Sequence, residues 1–438
     1  MAYNSNGKMP FEFASKLGHL DIIKNDFVKE LINEFESVQF NSDPKHIEEN
    51  TYTVDVDKSD IRAIITIDGS CSTLENAINK KKSISFIKIA TLMIGLEKLE
   101  QAQSVIVDPK LINEIITQYS DTICTVLPLN NVKIKGISPL ETIRRIVNIT
   151  IREKYPVLYE TLRFLVFKEW LNNYDSTISF SCPMCGHVNI KIGEFDQFIC
   201  GNVECGQNIF LTDYIGLHME FSEENTNESI ALNFMQVLEH LWYLSYLISI
   251  YKDKKYRLSQ ILLLKDGPLI LNSQYSRLVI PIREFIQHLK DSDVKAYLVG
   301  IEKSGPFTDH AEIISKNLKQ VGEVFIPSNK YIFSNIKSGG SDTDYGERVL
   351  YGSKLFVKID ENNVIVATIP TGEYTSNPKY EDFYGINEIV KILVQLRSKQ
   401  FANALLPIVA VNKLASMSVY PTNNILQKFA DSMIGVER

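Results

Sequence analysis

Across its 438 residues the chain has no G-x-x-x-x-G-K-[ST] phosphate loop, so it carries no ATP motor of that class. No apolar run is long enough to span a membrane. The most apolar stretch, residues 238–251, is too short and holds Glu239 and His240. The first 13 residues contain no long apolar run, so no secretory signal is expected. There is no internal repeat and no low-complexity tail. Positive charge is not in excess: 46 Lys and Arg against 53 Asp and Glu leave a net charge of -7. That balance excludes a protein basic over its whole surface, but not a local basic groove on an acidic body. Cysteine is scarce, and four of the six fall in one short stretch, with Cys71 and Cys124 isolated. Hydrophobic content of 45% and charged content of 23% describe a soluble globular protein of two or three domains, read here as cytoplasmic.

The clustered cysteines are Cys182-Pro-Met-Cys185 and Cys200-Gly-Asn-Val-Glu-Cys205. In a reducing compartment such pairs read as metal ligands, not disulfides. Zinc takes four soft ligands in a tetrahedron, and two turn-borne pairs on a short ribbon supply them. The second pair is more widely spaced than the tightest knuckle, and four reduced cysteines without metal are the alternative. Four thiolates close the shell, so His187 lies outside it and the zinc is structural, with no open position for catalytic water.

Two distant segments share an ending. Ile64-Ile65-Thr66-Ile67-Asp68-Gly69-Ser70 and Ile261-Leu262-Leu263-Leu264-Lys265-Asp266-Gly267-Pro268-Leu269 are both apolar runs of strand length stopped by Asp-Gly. Asp-Gly is also an ordinary turn signal. Side by side, however, two such strands hold Asp68 and Asp266 close together, as a hard divalent cation requires. The long apolar helix expected at 227–251 offers Glu228 and Glu239 as a third carboxylate. Glu239 lies among Val237, Leu238, Leu241 and Trp242, where burial is costly unless it is paired or bound to metal; a place on the solvent side is the alternative. Lys303 follows the strand expected at 295–302. From there it can reach a phosphate or the charge developing at a scissile phosphodiester.

The remaining pattern predicts a helix at 11–35, a polar stretch at 41–59, and strands at 83–92 and 103–107. Ser138-Pro139-Leu140-Glu141 opens a capped helix that runs to about 153. Helices follow at 156–172, 276–289 and 309–320, late strands at 354–359 and 364–369, and a helical end at 385–417 broken near Pro407. Short strands are expected inside the cysteine region at 188–192 and 197–199. The glycine-rich segment 338–346 reads as a loop.

Strand-Asp-Gly-Ser, a helix with glutamate, strand-Asp-Gly-x-Leu, and Gly300-Ile301-Glu302-Lys303 after the next strand together resemble the NurA family of DNA nucleases. Pro407-Ile-Val-Ala-Val-Asn412-Lys-Leu-Ala415 resembles that family's final proline-led helix. The resemblance covers roughly 60–108 and 227–417. It implies an α/β, RNase H-like mixed sheet flanked by helices, with a helical insertion and a small zinc-ribbon insertion. The implied segments are 1–59 (N-terminal helical), 60–136 (first part of the core), 137–176 (helical insertion), 177–213 (zinc ribbon) and 214–438 (second part of the core). It further implies a homodimer, Mn2+- or Mg2+-dependent DNA cleavage, and a HerA-type hexameric ATPase as partner. The missing phosphate loop agrees with a separate motor. Asp68 and Asp266 carry over as metal ligands, Glu239 less directly because its spacing to Asp266 is longer. Asn412 stands where the family has histidine; its amide oxygen can ligate a hard cation but cannot act as a base. A non-catalytic module that docks on DNA or a translocase through the zinc ribbon is the rival reading.

Overall fold

The computed structural model describes residues 23–34, 42–75, 82–102, 119–175, 177–188, 190–193, 198–224, 227–271, 277–337, 345–398, 404–417 and 422–434. They fall in two compact units, 1–41 and 42–438. In the first, the helix Asp26–Asn33 is capped by the Asn25 side chain, which accepts from the Phe27 amide at 3.0 Å.

The second unit is built on a nine-stranded mixed sheet. Its strands are β1 (Thr51–Thr53), β2 (Ala63–Glu75), β3 (Ser83–Gly95), β4 (Ser120–Pro128), β9 (Ile261–Asp266), β10 (Tyr297–Glu302), β11 (Glu323–Phe325), β12 (Ser353–Lys358) and β13 (Val364–Ile369). The ribbon strands β5 (Thr177–Phe180), β6 (Ile190–Gly193), β7 (Phe198–Ile199) and β8 (Asn208–Ile209) form two separate hairpins. The order across the large sheet is β1-β11-β12-β13-β10-β9-β2-β3-β4. Within it, β3 runs antiparallel to its neighbours β4 and β2, while β2, β9 and β10 are parallel. Three antiparallel strands followed outward from the first by two parallel ones are the order and directions of an RNase H-like core.

Parallel neighbours need crossovers, and helices supply them. The helix Glu228–Lys254 leads into β9, and Val279–Asp291 connects β9 to β10. The first is apolar nearly all round and buried over most of its length. It covers one face of the sheet together with the helix Pro156–Phe167, against Ile65, Ile67, Ile87 and Leu263. The opposite face, with Ile64, Leu262, Leu264 and Val299, is covered by the helices Ile386–Gln395 and Leu406–Ala415. The central strands are therefore apolar on both sides, which is why they read as continuous hydrophobic runs.

Several boundaries differ from the sequence reading. The polar stretch 41–59 contains the helix Pro44–Glu49 and the edge strand β1, paired with β11. The helix begun at Ser138, whose Oγ accepts from the Glu141 amide at 3.1 Å, is α-helical to Asn148 and continues as a π-helix over Ile149–Lys154. The predicted strand at 103–107 and most of the loop at 338–346 lie outside the described residues. The third strand is β4, further on. Among the described residues no helix is long and apolar enough to cross a membrane.

Candidate active site and metal centres

Strand register brings the two Asp-Gly motifs together. β2 and β9 pair in parallel up to Ile67 opposite Lys265, so Asp68 and Asp266 are the next residues along adjacent strands. Asp266 ends β9, and Gly267 turns away at φ +92, with its N–H donating to the Ile301 carbonyl at 2.8 Å. Gly69 is different, and here the sequence reading is corrected. It ends no strand: β2 continues to Glu75, with Gly69 paired to Ile89. A Cβ at Gly69 would stand 2.3 Å from Glu239 Oε1. Glycine is needed there for close approach of a side chain and not for a turn.

Glu239 is on no solvent face. It is 3% exposed, on the side of its helix that meets the sheet. Lys265, 5% exposed, lies 2.7 Å from Glu239 Oε2 and donates to the Asp266 carbonyl at 2.7 Å. Burial raises the Glu239 carboxyl, and Lys265 opposes that. Asp68 is pushed up to about 7, first by burial and then by the charges of Asp266 and Glu239. Lys303 donates to Asp266 Oδ2 from a partly exposed position. Structure thus draws Asp68, Asp266, Glu239 and Lys303 into one neighbourhood at the ends of β9 and β10.

Glu228, at the start of the same helix, has no part in this neighbourhood. The helix Leu406–Ala415 is tied to it through Ser70 and Lys88, opposite each other on β2 and β3. The Ser70 hydroxyl donates to the Ala415 carbonyl, and Lys88 Nζ donates to the Leu414 carbonyl at 2.6 Å. These two side chains satisfy the open carbonyls at the C-terminus of Leu406–Ala415. Asn412 is exposed on that helix, and no hydrogen bond joins its side chain to the three carboxylates among the described residues.

Lys265, Ser70 and Lys88 were not singled out from the sequence. Lys265 left a signal all the same: one lysine inside the buried run Ile-Leu-Leu-Leu-Lys-Asp requires an anionic partner.

The donors suit a hard cation. Three carboxylates with no thiolate or imidazole among them match Mg2+ or Mn2+ more than zinc. The like charge that lifts Asp68 is what a divalent ion relieves. Two ammonium groups now balance the other two carboxylates, so an ion on Asp266 Oδ2 competes with Lys303. The carboxylate oxygens are not gathered as tightly as metal ligands. Among the described residues only Cys182, Cys185, Cys200 and Cys205 have all ligand atoms within 4.8 Å of one another.

Those cysteines form the second centre. Cys182 and Cys205 sulfurs are 3.9 Å apart, and Cys185 and Cys200 sulfurs 3.6 Å. A tetrahedron with Zn–S near 2.3 Å has edges of about 3.8 Å, so the thiols fit zinc. Two matching turns present them, with Gly186 at φ +69 and Gly206 at φ +53. Within the cluster the Cys185 thiol is pulled down, chiefly by the His187 backbone amide, while burial and the neighbouring sulfurs push the Cys200 thiol up. His187 is absent from the cluster. The knuckles are fastened to the core by a fully buried ion pair, Arg144 to Asp213 at 2.7 Å, and Arg144 also donates to the Asn208 carbonyl at 2.6 Å.

No protein-family model matches the chain, and no curated protein sequence matches it. Among solved structures it is similar to the NurA nuclease from Sulfolobus solfataricus, at 11% identity and TM-score 0.37, covering 97% of this chain and 99% of that one. It is also similar to a NurA bound to dAMP and manganese, at 12% identity and TM-score 0.30, covering 96% of this chain and 98% of that one. Likeness this remote carries no argument about activity, which rests on the geometry above.

Proposed function

We propose that the chain is a metal-dependent deoxyribonuclease of the NurA type. The observation that supports this best is the placement of Asp68 and Asp266 on adjacent parallel strands, with Glu239 reaching them from the crossover helix through the space left by Gly69. A Mn2+ or Mg2+ ion held by these carboxylates supplies Lewis-acid activation of water and charge stabilisation at the phosphorus. The protein's own part is to fix three carboxylates on rigid elements and to hold Lys303 beside Asp266, exposed enough to meet a DNA phosphate. Burial of Glu239 and Lys265 excludes water from beneath the site. Asn412, exposed on a helix anchored by Ser70 and Lys88, is an oxygen ligand at the rim in this reading.

Zinc in the four-cysteine ribbon is structural and shapes a contact surface for DNA or a partner. The chain has no phosphate loop, so processive work on DNA ends, in repair or in defence against phage, falls to a HerA-type hexameric ATPase bound to a homodimer of this chain.

The test is cleavage of linear and circular DNA by the purified protein with Mn2+, Mg2+ or EDTA, with and without a HerA-type ATPase. Metal-dependent cleavage lost in Asp68→Asn and Asp266→Asn, both still folded, supports the reading. Zinc uptake with no cleavage under any condition favours the non-catalytic binding module.

A further inference from the structure

Between the two Asp-Gly motifs lies a buried ion pair whose carboxylate partner only the fold identifies. Lys265 Nζ is 2.7 Å from Glu239 Oε2 and 2.7 Å from the Asp266 main-chain oxygen. One ammonium group therefore joins the carboxylate of the crossover helix to the backbone of the residue that presents the neighbouring carboxylate. The other Glu239 oxygen, Oε1, occupies the space over Gly69. On the far side, a Cβ at Gly267 would stand 3.3 Å from Lys265 Nζ. The glycines of both motifs thus border one bridge, Gly69 at its carboxylate end and Gly267 at its ammonium end.

We propose that Lys265 is a positioning residue for the carboxylate site, holding Glu239 against Gly69 and beside the Asp68–Asp266 pair; the inference rests on the nuclease reading above. A glutamate side chain has three rotatable bonds, and an unpaired carboxylate at 3% exposure is costly to keep in place. Lys265 removes both problems with one contact, and it does so from inside a strand, where its own backbone is fixed by pairing on both sides. With Oε2 engaged by Lys265, Glu239 has Oε1 left to offer an ion.

A lysine that merely balances charge makes the opposite prediction. An ammonium group near a cation site repels the cation, so deleting it raises metal affinity. Deleting a positioning group lowers affinity, because Glu239 is released. The sign of the change separates the two roles.

The experiment titrates zinc-loaded, full-length protein with Mn2+ and follows free Mn2+ by electron paramagnetic resonance. Wild type is compared with Asp68→Asn, Glu239→Gln, Lys265→Met and the Lys265→Met/Glu239→Gln double variant, with circular dichroism and Tm as fold controls. Lys265→Met should weaken Mn2+ binding about tenfold, and the double variant should bind within about twofold of Glu239→Gln, because residues acting as a unit are not additive. In cleavage assays Lys265→Met should raise the Mn2+ concentration for half-maximal rate about tenfold while kcat at saturating Mn2+ stays within about threefold of wild type. If Lys265→Met alone does not fold, the double variant, which removes both charges, carries the test. Affinity unchanged or raised in Lys265→Met, or a double variant much weaker than Glu239→Gln, overturns the role of Lys265 and leaves the metal site standing. Wild-type Mn2+ binding that Asp68→Asn does not change overturns the site itself, and the role with it.

Discussion

Replacing Gly69 by alanine separates two readings of the Asp-Gly motif. If Gly69 were only a weak point inside a strand, Gly69→Ala would stabilise β2 by about 0.5–1 kcal/mol, the usual cost of an interior glycine. The structure opposes that gain. The new methyl group would lie 2.3 Å from Glu239 Oε1 and 2.9 Å from Ile89 Cδ1. Ile89 can yield by a few tenths of an ångström. Glu239 cannot yield freely, because its other oxygen is fixed to Lys265. Overpacking of this kind costs about 1–3 kcal/mol, and rupture of the buried pair raises the cost to about 3–5 kcal/mol. The expected net loss is about 1–2 kcal/mol if Glu239 and Lys265 shift together, and more if they part. Thermal denaturation should show a Tm lower by about 1–2 °C, since an unfolding entropy of about 2.1 cal/mol/K per residue makes 1 kcal/mol worth about 1 °C in a chain of 438 residues, and Mn2+ binding should weaken in parallel. The control is the Glu239→Ala background, where Gly69→Ala should be neutral or stabilising by about 0.5–1 kcal/mol. An alanine at position 69 that leaves Tm and Mn2+ binding unchanged in the wild-type background would refute the packing of Glu239 against β2.

Three further outcomes are expected. Cys182→Ser should lose the single zinc, measured by elemental analysis, and loosen the knuckles with little effect on the large sheet; full zinc retention would remove Cys182 from the centre. Arg144→Met takes the guanidinium from buried Asp213, leaving it the Phe210 amide at 2.9 Å and His218 at 4.0 Å, which should cost about 3 kcal/mol in chemical denaturation, and Arg144→Met with Asp213→Leu should recover most of it. Burial pushes His310, fully enclosed against Tyr331, down to about 4. The unfolded chain takes up that proton near pH 6.5. Stability from this group is therefore complete above pH 6.5, falls as pH drops toward 4, and levels off below, a loss of at most about 3 kcal/mol. A Tm-against-pH curve for His310→Gln should be correspondingly flatter over that window, and an identical slope would contradict the assignment.

Much of the frame was legible because its signals are local. The short run Ile261-Leu262-Leu263-Leu264, stopped by Asp-Gly, has the length and boundary of a strand covered on both faces, and Ser138-Pro139-Leu140-Glu141 carries its own cap, so those elements begin where the pattern puts them. The four cysteines were legible for the same reason, since a knuckle's ligands are close in sequence. Short, weakly patterned elements were not: β1 and β11 have three residues each and exist because they pair with one another and with β12. Gly69 was misread because a glycine that makes a turn and one that makes room look the same in sequence. The difference lies in a carboxylate 170 positions further along the chain.

By itself the sequence determined the long apolar strands and helices, the clustering of the four cysteines, and the two Asp-Gly motifs as candidate strand ends, because hydrophobic period and ligand spacing act over a few residues. Only the tertiary structure decided that Glu239 faces the sheet, that Lys265 is its counterion, that Lys303 rests on Asp266, and that Ser70 and Lys88 hold the end of the helix Leu406–Ala415. Each of those joins polar groups from distant segments, and for Glu239 and Lys265, both buried, burial is what makes the pairing obligatory.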